Sequence, residues 1–223
     1  MAKYGIDVSR WQGVIQWDMV KGEIDFAILQ AGYGRLATQK DAQFERNYAE
    51  CKRLGIPIGA YWYGYATTEK EAKLEALACI EVLKDKKLDY PLYYDVEEKP
   101  MLGSGNIDNI ITTFCKTLES AGIFAGLYMS RSPLNAYVSP TVRDRFALWV
   151  AEYGAKCNYN GKYGMWQKSS EGKINGISGN VDLNECYENY PDIINPKPKK
   201  VQKQVTLIID DHKYSGLLTE DLI

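Results

Sequence analysis

The run Phe44-Glu45-Arg46-Asn47-Tyr48-Ala49-Glu50-Cys51-Lys52-Arg53-Leu54-Gly55-Ile56-Pro57-Ile58-Gly59-Ala60-Tyr61-Trp62-Tyr63 holds a helix, its stop signal and a strand in succession. Phe44, Tyr48, Cys51 and Leu54 recur at helical spacing and make one apolar stripe. Gly55 accepts the left-handed backbone that ends a helix, and Pro57 cannot continue one. Residues 56–65 then read as a strand. The plan repeats: Gly55-Ile56-Pro57-Ile58-Gly59-Ala60-Tyr61 is echoed by Gly122-Ile123-Phe124-Ala125-Gly126-Leu127-Tyr128, and both copies leave a helix and enter a strand.

Working outward, strand candidates lie at 4–9, 26–33, 56–65, 92–97, 124–130, 147–153, 163–168 and 180–185. Between them, Thr68 with Glu71 forms a capping box ahead of the stripe Ala72, Ala76, Cys79 and Leu83. Ile107, Ile111, Phe114, Leu118 and Ala121 form a third stripe, closed by Gly122. Alternating strands and helices imply a mainly parallel sheet covered by helices, and eight strands suggest closure into a barrel. The last three strands are separated by loops too short for full helices. The expected fold is therefore α/β: an irregular TIM-like β/α barrel over residues 1–194, with regular β/α units only in its first five strands. Asn195-Pro196-Lys197-Pro198-Lys199-Lys200 reads as a stiff basic linker. Residues 201–223 read as a β-hairpin around Asp210-Asp211-His212-Lys213. An isolated hairpin is marginal in water, so this tail is expected to dock on the barrel, to begin a longer module, or to pair with a second copy through the alternation Val205, Leu207, Ile209.

Composition narrows the function classes. The 223 residues carry a net charge of -2 and a pI near 5.6, which gives no general attraction to nucleic acid or anionic lipid. No stretch approaches membrane-spanning length. Cys51, Cys79, Cys115, Cys157 and Cys186 are odd in number and lack Cys-x-x-Cys spacing, so neither a disulfide framework nor a zinc site is expected. His212, the only histidine, lies in the tail, which removes Ser-His-Asp triads and histidine-built metal sites. Gly32-Tyr33-Gly34 lacks the third glycine of a dinucleotide fingerprint and follows the second strand. No cofactor is expected.

What remains is acidic. Asp95 and Glu97 sit two apart at the end of the apolar run Leu92-Tyr93-Tyr94, so they project to one face, whereas Glu98 falls on the other and is expected to be solvated. Asp7 and Asp182 end the first and eighth strand candidates. Barrel enzymes carry their reactive groups at the C-terminal ends of strands, and strands one, four and eight would bring these four carboxylates together. Crowded carboxylates spread their pKa values, which yields one acid and one base or stabiliser. Gln30, Tyr33, Tyr61, Tyr63, Trp149, Glu152, Tyr153, Trp166 and Gln167 occupy comparable strand ends and could stack on or hydrogen-bond a sugar; for Trp149 and Trp166 core filling competes with that role.

At these residues the chain resembles glycoside hydrolase family 25, the lysozymes that include many phage endolysins. The matching pieces are Gly5-Ile6-Asp7-Val8-Ser9-Arg10-Trp11-Gln12-Gly13, Gly59-Ala60-Tyr61-Trp62, Tyr94-Asp95-Val96-Glu97, Leu148-Trp149-Val150-Ala151-Glu152-Tyr153, Trp166-Gln167 and Val181-Asp182-Leu183-Asn184. They cover roughly residues 4–190 in family order. The resemblance implies a barrel that cleaves the β-1,4 bond between N-acetylmuramic acid and N-acetylglucosamine in bacterial peptidoglycan. By position, Glu97 is similar to the general acid/base, Asp95 to the group that stabilises charge at the sugar, and Asp7 and Asp182 to carboxylates that orient substrate or tune pKa. Asp95 and Glu97, about 6.6 Å apart between Cα atoms, leave both a covalent and an N-acetyl-assisted retaining path open; assistance with net retention is favoured. One departure is the second strand, where the family often ends in a Lys-Ala-Thr-like segment and this chain has Gln30-Ala31-Gly32-Tyr33-Gly34.

Two competing readings use the same residues: a non-catalytic wall-binding barrel that keeps the aromatic groove, and a magnesium-dependent hydrolase built on the four carboxylates. The start Met1-Ala2-Lys3-Tyr4-Gly5-Ile6-Asp7 runs directly into a strand. The expectation is therefore a protein made in the host cytoplasm without a signal peptide, which reaches the wall as an endolysin through a holin lesion.

Overall fold

The structure, a computed structural model, describes residues 2–196 and 200–221, with side chains at 204–217 of the second segment. Within the expected linker, residues 197–199 lie outside the described residues, as do 222–223 of the tail.

In chain order the elements are β1 (Lys3–Val8), α1 (Trp17–Val20), β2 (Phe26–Tyr33), α2 (Phe44–Leu54), β3 (Ile58–Tyr63), α3 (Glu69–Val82), β4 (Leu92–Asp95), α4 (Lys99–Leu102), α5 (Ile107–Ser120), β5 (Ala125–Ser130), α6 (Arg131–Tyr137), α7 (Pro140–Arg143), β6 (Ala147–Ala151), β7 (Met165–Gly172), β8 (Val181–Cys186), α8 (Tyr190–Ile194), β9 (Lys200–Ile209) and β10 (His212–Asp221). Strands β1 to β8 close into a barrel in sequence order, so the expected α/β fold class holds. The helix signals also hold. Gly55 closes α2 at φ 69°, and the Thr68 side chain accepts from the Glu71 amide at the start of α3. The other half of that expected capping box differs, because the Glu71 carboxylate takes the Thr67 amide and hydroxyl.

Every neighbouring pair from β1–β2 to β6–β7 is parallel, whereas β8 runs antiparallel to both β7 and β1. Loop length is the reason: only residues 173–180 join β7 to β8, and a parallel crossover needs a dozen or more. This corrects the expected placement of Asp182. It stands at the start of β8, not at a C-terminal strand end, and the reversed direction of β8 brings that start to the rim where β1 ends.

Two cores follow from the pleat. Residues facing outward from the barrel, such as Ile6, Val8, Ala27, Leu29, Leu127 and Val150, pack with the apolar faces of α2, α3 and α5. Tyr94 faces this shell, stacks on Phe114 of α5 at 3.7 Å and 6°, and donates its hydroxyl to the fully buried Glu75 of α3. Glu75 also accepts the Tyr65 amide, which ties the loop after β3 to the shell; burial pushes its pKa up to about 7. The barrel interior is a separate cluster of Phe26, Ile28, Tyr90, Tyr93, Tyr128, Trp149, Met165, Cys186 and Tyr190.

Those rings fit because the strands beside them carry glycine at the same level. A Cβ at Gly5 would lie 2.5 Å from the Phe26 ring, one at Gly59 2.5 Å from Ile28, and one at Gly126 2.5 Å from the Tyr93 ring. The repeated Gly-x-Tyr of the sequence echo is thus a barrel rule: glycine below makes room for a neighbour's bulk, and the tyrosine two residues on points into the space above it.

The tail forms the expected hairpin, with β9 and β10 antiparallel and joined through Asp210 and Asp211, both at positive φ. Leu207, Ile208, Ile209, Tyr214 and Leu217 are exposed on it. Among the described residues no helix is long and apolar enough to cross a membrane.

Gly126→Ala should test the layering, since its Cβ would also meet the Ala147 carbonyl oxygen at 2.7 Å. Overpacking of this kind costs about 1–3 kcal/mol, so the urea midpoint is expected to fall; an unchanged midpoint would show that ring and strand yield freely.

Candidate active site

The upper end of the barrel opens into a cleft of about 280 Å3 lined by Asp7, Trp11, Gln30, Tyr61, Tyr63, Asp95, Glu97, Tyr128, Trp149, Tyr153, Gln167 and Asp182. A larger hollow of about 520 Å3 lies at the other end of the barrel, around Phe124, Phe146, Tyr163 and Tyr187. Convergent carboxylates, rather than volume, distinguish the upper cleft.

Strand register explains the convergence. Asp7 pairs directly with Asp182 across β1 and β8. Asp95, the last residue of β4, pairs with Tyr63 on one side and Tyr128 on the other. Glu97 follows two residues later, past the end of the strand, and its side chain reaches the cleft from an exposed position. The floor is aromatic: Trp149 packs against Tyr128 at 4.4 Å, Tyr93 at 5.1 Å and Tyr61 at 6.4 Å.

Asp7 is held by a hydrogen-bond chain whose direction is fixed. An indole N–H can only donate, so the Trp149 Nε1 bond of 2.9 Å requires Asn184 to present its oxygen there. The Asn184 Nδ2 must then face Asp7, and it donates to Oδ2 at 2.7 Å. Gln167 donates to the same oxygen at 3.0 Å and accepts from Tyr128 and Tyr153 through its own oxygen. Asp95 is different: it is buried, and its Oδ1 has no hydrogen-bond partner.

Electrostatics follow from burial and crowding. Burial, then the charges of Glu97 and Asp7, hold the Asp95 pKa well above the usual carboxylate range. Burial and Asp182 push Asp7 up to about 8, against the lowering effect of its two amide donors. Burial raises Asp182 to about 6. Glu97 is also raised, by desolvation, Glu98 and Asp182 in that order. The cleft therefore keeps protons that free carboxylates would have released.

Of the residues singled out in the sequence, ten line this cleft: Asp7, Gln30, Tyr61, Tyr63, Asp95, Glu97, Trp149, Tyr153, Gln167 and Asp182. Glu152 lines an adjoining depression, with its carboxylate taken by Asn158 and Arg131. Tyr33 lies outside the cleft. A bulge between Gln30 and Gly32 sets it beside Tyr63, where it packs on Tyr65 and under Arg10. Trp166 also lies outside, because the pleat that turns Gln167 inward turns Trp166 out; its indole donates to the Glu152 carbonyl at 2.7 Å. Glu98, expected in solvent, is half-buried and accepts the Tyr63 hydroxyl at 2.8 Å.

Sequence reasoning missed Trp11, Tyr128 and Asn184. Tyr128 was visible as the last residue of the repeated Gly-x-Tyr, and Asn184 as the same-face neighbour of Asp182. Trp11, on a short 3-10 turn and 79% exposed, gave no periodic signal. Among the described residues no group of three or more His, Cys, Asp or Glu side chains is placed to hold a metal ion.

Residues 6–177 match the glycosyl hydrolases family 25. The autolytic lysozyme of Clostridium acetobutylicum is 30% identical over 186 residues, spanning 82% of this chain and 56% of that protein. The uncharacterized protein YegX of Escherichia coli K12 is 29% identical over 194 residues, 81% of this chain and 68% of its own. Among solved structures, the modular autolysin LytC from Streptococcus pneumoniae, in complex with a synthetic peptidoglycan ligand, superposes with a TM-score of 0.74 at 30% identity over 83% of this chain. The chain spans about half of that autolysin's length, 47%.

Asp7→Asn tests the strain stored in the cleft. Because the folded pKa of Asp7 lies above its unfolded value of 3.8, ionisation is disfavoured in the native state, and stability falls as pH rises from about 4 to about 8. The amide should therefore raise Tm by roughly 4 °C at about pH 8 and leave it unchanged near pH 4, as read by thermal melts; a uniform loss at both pH values would contradict the assignment.

Proposed function

We infer the activity from the premise that this chain belongs to glycosyl hydrolases family 25: it is a lysozyme that hydrolyses the β-1,4 bond between N-acetylmuramic acid and N-acetylglucosamine in peptidoglycan. The observation that carries this reading is the pairing of the buried, unpartnered Asp95 with the solvent-reachable, proton-retaining Glu97 above an aromatic floor.

Glu97 is the general acid/base. Its raised pKa keeps it protonated long enough to donate to the departing glycosidic oxygen, and its exposed position lets it then activate water. Asp95 lies below, where positive charge develops at the anomeric carbon. Its Oδ1, free of donors, is poised to stabilise that charge or to orient the substrate's N-acetyl group as internal nucleophile, which gives net retention. Asp7 and Asp182 form the opposite wall. Burial and the Asp182 charge push the Asp7 pKa up to about 8, and Asp7, fixed by Asn184 and Gln167, presents a stationary carboxyl to sugar hydroxyls. Gln30, Tyr61, Tyr63, Trp149 and Tyr153 shape the trough for the sugar rings.

The barrel of residues 1–194 is the catalytic unit, and it acts at the cell wall in a bacteriolytic role of endolysin type. Residues 201–223 form a separate oligomerisation element. A lone two-stranded sheet is marginal, and the exposed Leu207, Ile209 and Tyr214 are suited to a second copy.

Glu97→Gln should abolish release of reducing ends from purified cell walls while leaving the melting curve intact; a folded mutant that still clears walls would remove Glu97 from the mechanism. Wild-type clearing should produce new reducing ends without new free amines and persist in chelator. Loss in chelator would instead favour the magnesium reading. Size measurement of the full chain against one ending at 196 should show a larger species only for the former; identical monomers would end the oligomerisation reading.

A further inference from the structure

Beside the acidic cleft and sharing Glu97, Tyr128 and Tyr153 with it lies a second depression of about 290 Å3, completed by Ser130, Arg131, Ser132, Ala151 and Glu152. Among the described residues, Arg131 is the one cation on the walls of either hollow. Its Nε sits 2.9 Å from Glu152 Oε1, and Glu152 is itself fixed by the Asn158 amide at 2.6 Å and the Asn158 side chain at 2.9 Å. Those contacts, with Arg131, lower the Glu152 pKa. The guanidinium is thus held beside Glu152 by charge, while its buried Nε makes no hydrogen bond. Its side chain remains 39% exposed against 16% for Glu152, and the hydroxyl residues Ser130 and Ser132 flank it.

We propose that this depression is a subsite for the carboxylates of the peptide stem carried by the muramic acid residue, with Arg131 as the specificity-determining residue. The proposal rests on the glycosidase reading above. Two features set the direction in which a strand lies. Asp7, Asp95, Glu97 and Asp182 line the main cleft and, among the described residues, no cation does, so neutral sugar rings are admitted there and an anionic stem finds no partner. At the Glu97 end the depression offers one guanidinium, Arg131, beside Glu152, and its planar fork matches a carboxylate in bidentate fashion. A stem attached to the sugar next to the scissile bond leaves the cleft beside Glu97, where this depression opens. Binding the stem there fixes which sugar of the alternating strand sits on which side of Glu97.

The test compares release of reducing ends from glycan strands that keep their stems and from the same strands stripped by an amidase. The wild type should show kcat/KM on stem-bearing strands roughly tenfold or more above stripped strands, the scale of a charge-assisted hydrogen bond. In Arg131→Ala that ratio should collapse toward one through a rise in KM, and Arg131→Lys, which keeps charge but loses the fork, should recover part of it. A wild-type ratio retained in Arg131→Ala, or a wild type indifferent to stems, overturns the subsite alone. No reducing ends from either strand with the wild type overturns the glycosidase reading itself. Equal melting temperatures across the three proteins exclude misfolding; if Arg131→Ala unfolds, Arg131→Lys carries the comparison, and an unchanged ratio in it together with Arg131→Gln counts against the subsite.

Discussion

The interior of a closed eight-stranded sheet has a fixed width, and the rest of this molecule depends on how its side chains fill it. Inward positions alternate along every strand, so each level of the barrel must hold a set of residues whose volumes add up to that width. At the lower level Gly5, Gly59 and Gly126 give way to Phe26, Ile28 and Tyr93. At the next, Tyr61, Tyr128 and Trp149 close the floor. Above that floor the barrel opens, and the inward residues there are Asp7, Asp95, Gln167 and Asn184. The ring layer therefore does two things: it completes the core, and it denies water access to the carboxylates from below.

That dry floor sets the chemistry. A carboxylate above packed rings loses hydration on one side, and with three others nearby the group as a whole retains protons. Asp7 and Asp95 are equally buried but unequally served. Two amides whose orientation is forced by the Trp149 N–H hold the first, and nothing donates to Oδ1 of the second. A buried acceptor left without a donor is costly, and Asp95 carries that cost at the floor of the cleft.

Much of this architecture was legible in the chain. Helix stops at Gly55 and Gly122, strands of period two, and the repeated Gly-x-Tyr all rest on local geometry, which sequence encodes directly. Asp95 and Glu97 were legible for the same reason, as two acids one pleat apart after an apolar run. Trp166 and Gln167 show the limit. Both sit at a strand end, and which of them faces the cleft depends on the register of β7 against β6 and β8, which is a long-range pairing. The bulge in β2 that sets Tyr33 beside Tyr63 is likewise invisible in the composition of that strand.

The sequence by itself determined the number and order of strands, the covering helices and the identity of the acids, because each depends on residues within one or two turns or pleats of one another. Tertiary structure alone decided that β8 runs backwards, so that Asp182 meets Asp7 at one rim; that Asn184 and Tyr128 join the site; and that Arg131 stands at its edge. Those outcomes depend on which strands become neighbours when the sheet closes, and closure is a property of the whole barrel rather than of any segment.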